Sequence, residues 1–155
     1  GAQLSGSITG CSSSATVNAG GVAGGVAGST NYDATLTACY ATGDMTVEND
    51  GTNNSHAGGV VGSNAYCTVI ACYAAGNVSG KGSGTIHVGG AVGENYGTLT
   101  ACYWSGLPDN DNGGATKVDG TTVTWQTAVD AMNAALSGKG WQYELTGALP
   151  TLKKQ

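Results

Sequence analysis

Short alternations of apolar and polar residues recur along the first two thirds of the chain at intervals of about 30 residues. The run Thr-Leu-Thr at 35–37 places one apolar residue between two polar ones. It returns at 98–100, and at 68–70 as Thr-Val-Ile, with Ile70 in place of the second threonine. Alternation with a period of two predicts strands with one buried face. Because glycines separate these runs and no window of this region has a helical period, we expect short strands joined by tight turns.

A cysteine followed by a tyrosine marks each repeat. The stretch TACYATG at 37–43 returns as IACYAAG at 70–76 and as TACYWSG at 100–106, and a weaker copy, TGCSSSA, lies at 9–15. This near-constant spacing shows that the cysteine belongs to a structural repeat, and it raises the question of whether the thiol also carries chemistry.

Each of the three stronger copies follows a glycine-rich segment: GGVAG at 24–28, GGVVG at 58–62 and GGAVG at 89–93. Three full repeats and one partial repeat thus cover residues 6–106. A unit of this size with several short strands cannot bury its apolar face alone, but it can when it is stacked on its neighbours. We therefore predict an all-β fold, a β-solenoid or β-helix-like stack of about three repeats, with successive coils ~4.8 Å apart and equivalent residues in columns.

The spacing between Leu36 and Cys39 predicts a bend in each coil. In an unbroken strand these two residues would point to opposite faces, because they are three positions apart. A corner near Ala38 places Cys39 and Ala41 inside and Tyr40 outside or at the corner. The alternative is a cysteine column that faces outward.

Residues 107–155 lack the repeat and form a second region. The predicted elements are a loop at 107–114, a hairpin at 118–123 with Asp119-Gly120 at its turn, an amphipathic capping helix at 125–136 and a strand at 141–145. The helix has one apolar face and Thr124 as its N-cap. Its simplest role is to cover the exposed, template-like end of the solenoid.

Composition and charge narrow the classes of protein to which this chain can belong. The chain has 155 residues, of which 28 are Gly without a triplet period, so it is not collagen-like. Its net charge of −5, with five lysines and no arginine, argues against nucleic acid as a partner. No apolar run approaches the ~20 residues of a membrane span, so we expect no membrane insertion. No signal peptide is present and Gly1 is typical of a cut site, so we expect a fragment of a longer chain.

The repeated segments resemble the GLUG-motif repeat family, whose motif has the form Gly-Leu-x-Gly with a cysteine–tyrosine stretch downstream. The resemblance implies an extracellular or cell-surface module of large bacterial surface or secreted proteins, including adhesins and precursors of IgA-cleaving metallopeptidases, of the kind found in gut Bacteroides-like bacteria. It implies no defined chemistry. The matching segments are Gly25-Val26-Ala27-Gly28, Gly59-Val60-Val61-Gly62 and Gly90-Ala91-Val92-Gly93, with Val, Val and Ala at the leucine position.

The five cysteines do not form a recognisable metal or catalytic motif. There is no CxxC or HxxxH pair, so we predict no metal site and no cofactor. His56 and His87 have no local relation to a cysteine that would activate a thiol. We expect buried structural thiols, while Cys67, which is outside the column, is open to reaction or to pairing with another chain.

Six tyrosines fall into two columns, and these are the candidate binding residues. Exposed rings bind the apolar faces of sugars, whereas stacked rings equally stabilise a solenoid by packing. The first column is Tyr32, Tyr66 and Tyr96, beside Asn31, Asn64 and Asn95 as amide donors; the second is Tyr40, Tyr73 and Tyr103, next to Trp104. If both columns are buried, the sugar platform fails.

These patterns favour a non-catalytic extracellular repeat module with a structural or adhesive role. The alternative is a carbohydrate-binding module that uses the tyrosine columns, with a host or bacterial glycan or a protein as partner. A third hypothesis, a polysaccharide-active enzyme, is less favoured than either, because the ten acidic residues are scattered and there is no HExxH motif. The acidic loop at 109–113 is more typical of a turn than of a calcium site, and the threonine columns are more typical of solvated strands than of ice binding.

Overall fold

The computed structural model describes residues 3–155 and confirms the predicted β-solenoid. Within these residues the chain makes three coils of five strands each and begins a fourth. The strands, in chain order, are β1 (Gln3–Leu4), β2 (Ser7–Thr9), β3 (Ser12–Ser13), β4 (Val17–Gly20), β5 (Val22–Gly24), β6 (Ala27–Thr30), β7 (Thr35–Thr37), β8 (Tyr40–Ala41), β9 (Met45–Asp50), β10 (Ser55–Gly58), β11 (Val61–Asn64), β12 (Thr68–Ile70), β13 (Tyr73–Ala74), β14 (Val78–Ser83), β15 (Ile86–Gly89), β16 (Val92–Asn95), β17 (Thr98–Thr100) and β18 (Tyr103–Trp104).

Every fifth strand pairs in parallel with its equivalent in the next coil, which gives five parallel sheets. Sheet 1 contains β1, β6, β11 and β16; sheet 2 contains β2, β7, β12 and β17. Sheet 3 contains β3, β8, β13 and β18, sheet 4 contains β4, β9 and β14, and sheet 5 contains β5, β10 and β15. The register places Leu36, Val69 and Leu99 in one column, as predicted.

The predicted corner lies at Ala38. Its φ is +54°, and the equivalent Ala71 and Ala101 have φ values of +51° and +50°. This left-handed conformation costs a non-glycine residue roughly 1–2 kcal/mol, and it turns the next side chain inward. Cys39 and Ala41 are accordingly buried, while Tyr40 lies at the corner, half-buried.

The glycine-rich segments form a waist that divides each coil into two cores. At this waist Gly59 faces Ala74 on sheet 3, and a Cβ atom on Gly59 would lie 2.3 Å from the Cβ of Ala74. The larger core lies between sheets 1, 2 and 3 and contains Leu36 and Val69. The smaller core lies between sheets 4 and 5 and contains Met45 and Val47.

The C-terminal helix is confirmed, and it lies on the side of the solenoid. Helix α1 (Trp125–Ala135) follows the strand β19 (Thr116–Lys117) and precedes the antiparallel pair β20 (Trp141–Glu144) and β21 (Thr151–Lys154). Thr124 is its N-cap, as predicted. The buried face of α1 and the ring of Tyr143 pack on the corner alanines and on Tyr73, and so cover successive coils laterally.

The loop after sheet 3, rather than the helix, covers the end of the last coil. Asp111 accepts hydrogen bonds from the amides of Ala91 and Val92 at 2.7 and 2.8 Å, and Gly113 N donates to Val92 O at 3.1 Å. Strand β19 then adds a fifth strand to sheet 3. The acidic loop is thus a structural end cap.

The segment predicted as a hairpin at 118–123 is a turn without a strand ladder. The carboxylate of Asp119 accepts hydrogen bonds from the amides of Thr121, Thr122 and Val123. These bonds to the ionised form lower the pKa of Asp119 to about 2. No helix among the described residues is long and apolar enough to cross a membrane.

Candidate functional site

The two predicted tyrosine columns have opposite environments. Tyr32, Tyr66 and Tyr96 are 66%, 54% and 60% exposed, and we call them the tyrosine ladder. They lie just after the strands of sheet 1, where the chain turns toward sheet 2 and Tyr66 adopts a φ of +63°. This turn directs the rings outward across three coils, so one of the two columns is accessible to a partner.

The rings of the tyrosine ladder stack on one another. The centroids of Tyr32 and Tyr66 are 4.5 Å apart with a 12° angle between the planes, whereas Tyr66 and Tyr96 are 6.3 Å apart and tilted by 31°. Faces inside the stack cover each other, so the ladder presents ring edges, phenolic hydroxyls and the outer faces of the terminal rings. This surface is both apolar and rich in hydrogen-bonding groups.

The second column is part of the core beneath the C-terminal segment. Tyr73 is fully buried; it stacks on Tyr40 at 4.9 Å, contacts Trp125 edge-on and donates its hydroxyl to the carbonyl of Pro150. Burial raises the pKa of Tyr73 well above its usual range. Tyr40 and Tyr103 are half-buried and pack against the same cluster. The structure therefore gives this column a packing role, and it takes Tyr73 out of the predicted binding surface.

Trp104 is also a packing residue. It is buried at the register position of Ala74, its indole nitrogen donates to the carbonyl of Pro108 at 3.0 Å, and it fills the space above Gly90. A large ring at the last coil closes the waist that smaller alanines occupy in the earlier coils. Its predicted place in a binding surface is therefore corrected as well.

The predicted asparagine column differs from the observed one in two ways: its members are not all in register, and the side chains of those in register point into the protein. Asn64 aligns with Asn95 and with Thr30, so Asn31 lies outside the column. Asn64 is buried, receives a hydrogen bond from the Thr30 hydroxyl at 2.7 Å and donates to Asn95 Oδ1 at 2.7 Å. Asn64 and Asn95 thus bind the protein's own backbone and side chains, and they are not amide donors for a ligand.

The cysteines are free thiols, and four of the five are buried. Cys39, Cys72 and Cys102 form the predicted inward column, and Cys67 is buried too, which removes it from solvent and from other chains. Burial raises the pKa of Cys102 to about 11, so this thiol is protonated at neutral pH. Cys11, in the first coil, is exposed.

A group that the sequence analysis did not find lies beside the tyrosine ladder. His56 and His87 pair directly in sheet 5 and stack at 5.1 Å, and Glu94 of sheet 1 approaches His56 with 3.5 Å between Oε2 and Nδ1. The hydroxyl of Tyr96 donates to the other carboxylate oxygen of Glu94 at 3.0 Å, which raises the pKa of Tyr96. Burial lowers the pKa of His56, and this outweighs the opposing effect of Glu94.

The signal for this group was present in the sequence as a long-range spacing. His56 and His87 each stand two residues before the paired glycines of a repeat, so the solenoid register stacks them. A search for two ligands within a few residues cannot detect such a pair, because the two histidines are one whole coil apart.

No protein-family model, curated protein or solved structure matches this chain.

Proposed function

We propose that this protein is a non-catalytic repeat module of a bacterial surface or secreted protein, with an adhesive role that the tyrosine ladder performs. The observation that carries the proposal is the exposure of three large aromatic side chains in one line on a rigid scaffold. Large exposed aromatic groups are costly in water and are typical of contact surfaces. The resemblance to GLUG-motif repeats supports an extracellular or cell-surface location.

The environment of the acidic residues supports a non-catalytic role. Hydrolysis of glycosidic bonds requires two free carboxylates on either side of a substrate. Here Asp111 and Asp119 accept backbone hydrogen bonds, and Glu48 pairs with Lys81 at 2.7 Å. Glu144 pairs with Lys153 at 2.8 Å in the same way. These carboxylates serve the protein's own structure.

The geometry of the ladder favours a protein partner over a flat sugar platform. Inside the stack each ring covers its neighbour, which leaves edges and hydroxyls for the contact. Tyrosines of this kind are enriched at protein interfaces, because they combine apolar area with a hydrogen-bonding tip. A sugar ring has two places to stack, the outer faces of Tyr32 and Tyr96, and this second candidate function rests on their exposure of 66% and 60%.

Binding to arrays of glycans and of extracellular matrix proteins tests the proposal. We expect the protein to bind matrix proteins and Tyr66→Ala to weaken that binding by about tenfold, because loss of the central ring disrupts the ladder and a central interface aromatic is worth more than 1 kcal/mol. If the second candidate is right, the protein instead binds glycans, and Tyr96→Ala, which removes a terminal face, weakens that binding more than Tyr66→Ala does.

Leu107→Ala is the matched control. Leu107 is a large apolar residue with similar exposure, 58%, and it lies outside the ladder. Its replacement is expected to leave binding unchanged. An absence of binding to both arrays, or equal binding by the protein and by Tyr66→Ala, would overturn the adhesive role.

A further inference from the structure

We propose that His56, His87 and Glu94 form a binding site for a divalent transition-metal ion, with Zn²⁺ as the best match. The two imidazoles and the carboxylate come from three strands, β10, β15 and β16, and each offers one ligand atom. These atoms all lie within 4.8 Å of one another. The proposal does not depend on the adhesive role, although Tyr96 belongs to both groups of residues.

The solenoid register brings the ligands together. His56 and His87 occupy equivalent positions of neighbouring parallel strands and project from the same face of sheet 5. Glu94 projects from sheet 1 toward the same space, and its Oε2 lies 3.5 Å from His56 Nδ1. Zinc binds nitrogen and carboxylate oxygen at ~2.0–2.2 Å, so we expect small side-chain rotations to bring the three atoms around one ion.

The hydrogen-bond pattern leaves a ligand position unfilled. The Nδ1 atom of His56 is inaccessible to water and has no hydrogen-bond partner among the described residues. A buried polar atom without a partner costs free energy, and so it usually has a functional or structural reason. Coordination of a metal ion supplies the missing partner for this nitrogen.

Tyr96 holds the carboxylate in place. Its hydroxyl donates to Glu94 Oε1 at 3.0 Å, and this leaves Oε2 directed at the histidines. Second-layer hydrogen bonds of this kind orient metal ligands and contribute about 10–100-fold to metal affinity. Tyr96 therefore links the metal site to the tyrosine ladder.

The ligand types select the metal. Two imidazoles and one carboxylate suit Zn²⁺ and neighbouring transition metals, whereas Ca²⁺ and Mg²⁺ prefer sites composed of oxygen atoms. Three protein ligands leave the fourth tetrahedral position to water or to a group from a partner.

Isothermal titration with ZnCl₂ tests the site in a Cys11→Ser background, which removes the exposed thiol as a competing ligand. We expect one Zn²⁺ per chain, and no measurable binding of Ca²⁺ or Mg²⁺ at the same concentrations. His87→Gln and Glu94→Gln are each expected to weaken Zn²⁺ binding at least about tenfold, and Tyr96→Phe about tenfold.

Glu48→Gln is the matched control, because Glu48 is an exposed carboxylate in an ion pair away from the histidines. Imidazole NMR signals give a second readout that does not depend on variants, since the chain has only two histidines. Both are expected to shift on addition of Zn²⁺. Unchanged Zn²⁺ affinity in folded His87→Gln or Glu94→Gln, or imidazole signals that do not move, would overturn the proposal.

Discussion

At the scale of single residues, the paired glycines of each repeat are required because segments of neighbouring sheets and coils approach closely at the waist. The carbonyl of Gly90 and the side chain of Ala74 occupy the space that a side chain on Gly59 would need. Gly25 meets Ala41 and the carbonyl of Gly59 in the same way one coil earlier. The requirement is thus steric and repeats with each coil, and it is not a matter of left-handed backbone at these positions.

Gly59→Ala is therefore expected to destabilise the protein by about 3 kcal/mol, at the upper end of the cost of overpacking, because backbone atoms on one side cannot move away. Urea unfolding followed by circular dichroism measures the change. Gly20→Ala is the control, since a Cβ atom there meets nothing within 4 Å. Equal stability of the two variants would contradict the close approach at the waist.

At the scale of elements, the loop between β18 and β19 ends the solenoid by satisfying the backbone of its last coil. Asp111 accepts from Ala91 N and Val92 N with one oxygen and from Ala115 N with the other. The side chain of Asn112 donates to the carbonyl of Val88 at 3.1 Å. An uncovered edge of parallel strands is a template for association, and the loop blocks this edge with side chains.

Asp111→Asn is expected to lower the free energy of unfolding by about 1.5–3 kcal/mol. The asparagine side chain is uncharged, which weakens all three hydrogen bonds. Its NH₂ group also replaces one of the accepting oxygens and so faces a backbone N–H group. Chemical denaturation measures the loss. Asp109→Asn is the control: it makes the same substitution in the same loop, at an exposed carboxylate that pairs with Lys117. It is expected to leave the free energy of unfolding nearly unchanged. Similar losses of stability in both variants would argue against the end cap.

At the scale of the whole molecule, the C-terminal segment ties the coils together. The hydroxyl of Tyr143 donates to the carbonyl of Ala71 at 2.9 Å and lies 3.2 Å from the carbonyl of Cys39, one coil earlier. A plain solenoid has contacts only between neighbouring coils, and its unfolding can separate into stages. A segment that packs across several coils opposes such separation.

We therefore expect the solenoid and the C-terminal segment to unfold in one transition. In Trp104→Phe the remaining tryptophans, Trp125 and Trp141, both lie in the C-terminal segment, so their fluorescence reports on this segment and its contact with the coils. Far-UV circular dichroism reports mainly on the strands. The two probes are expected to give the same urea midpoint under reducing conditions. A lower midpoint by fluorescence would show that the segment detaches first.

The repeat architecture was predictable because it follows from residue alternation and from motif spacing along the chain. The spacing of Leu36 and Cys39 favoured a corner over an outward-facing cysteine column, and the structure has a corner at Ala38. The apolar face of the helix and its N-cap at Thr124 were equally local. The register of the asparagines was predicted wrongly: Asn64 pairs with Thr30, because Asn31 stands three residues after its repeat glycine whereas Asn64 and Asn95 stand two residues after theirs.

The sequence by itself determined that this chain stacks repeats, because period-two alternation, spaced glycines and recurrent cysteines leave few other ways to bury the apolar residues. Only the tertiary structure decided which aromatic column meets the solvent, since the side that the C-terminal segment covers depends on packing between regions distant in sequence. For the same reason only the structure brought His56, His87 and Glu94 together: a metal site across coils requires register, and register is a property of the stack.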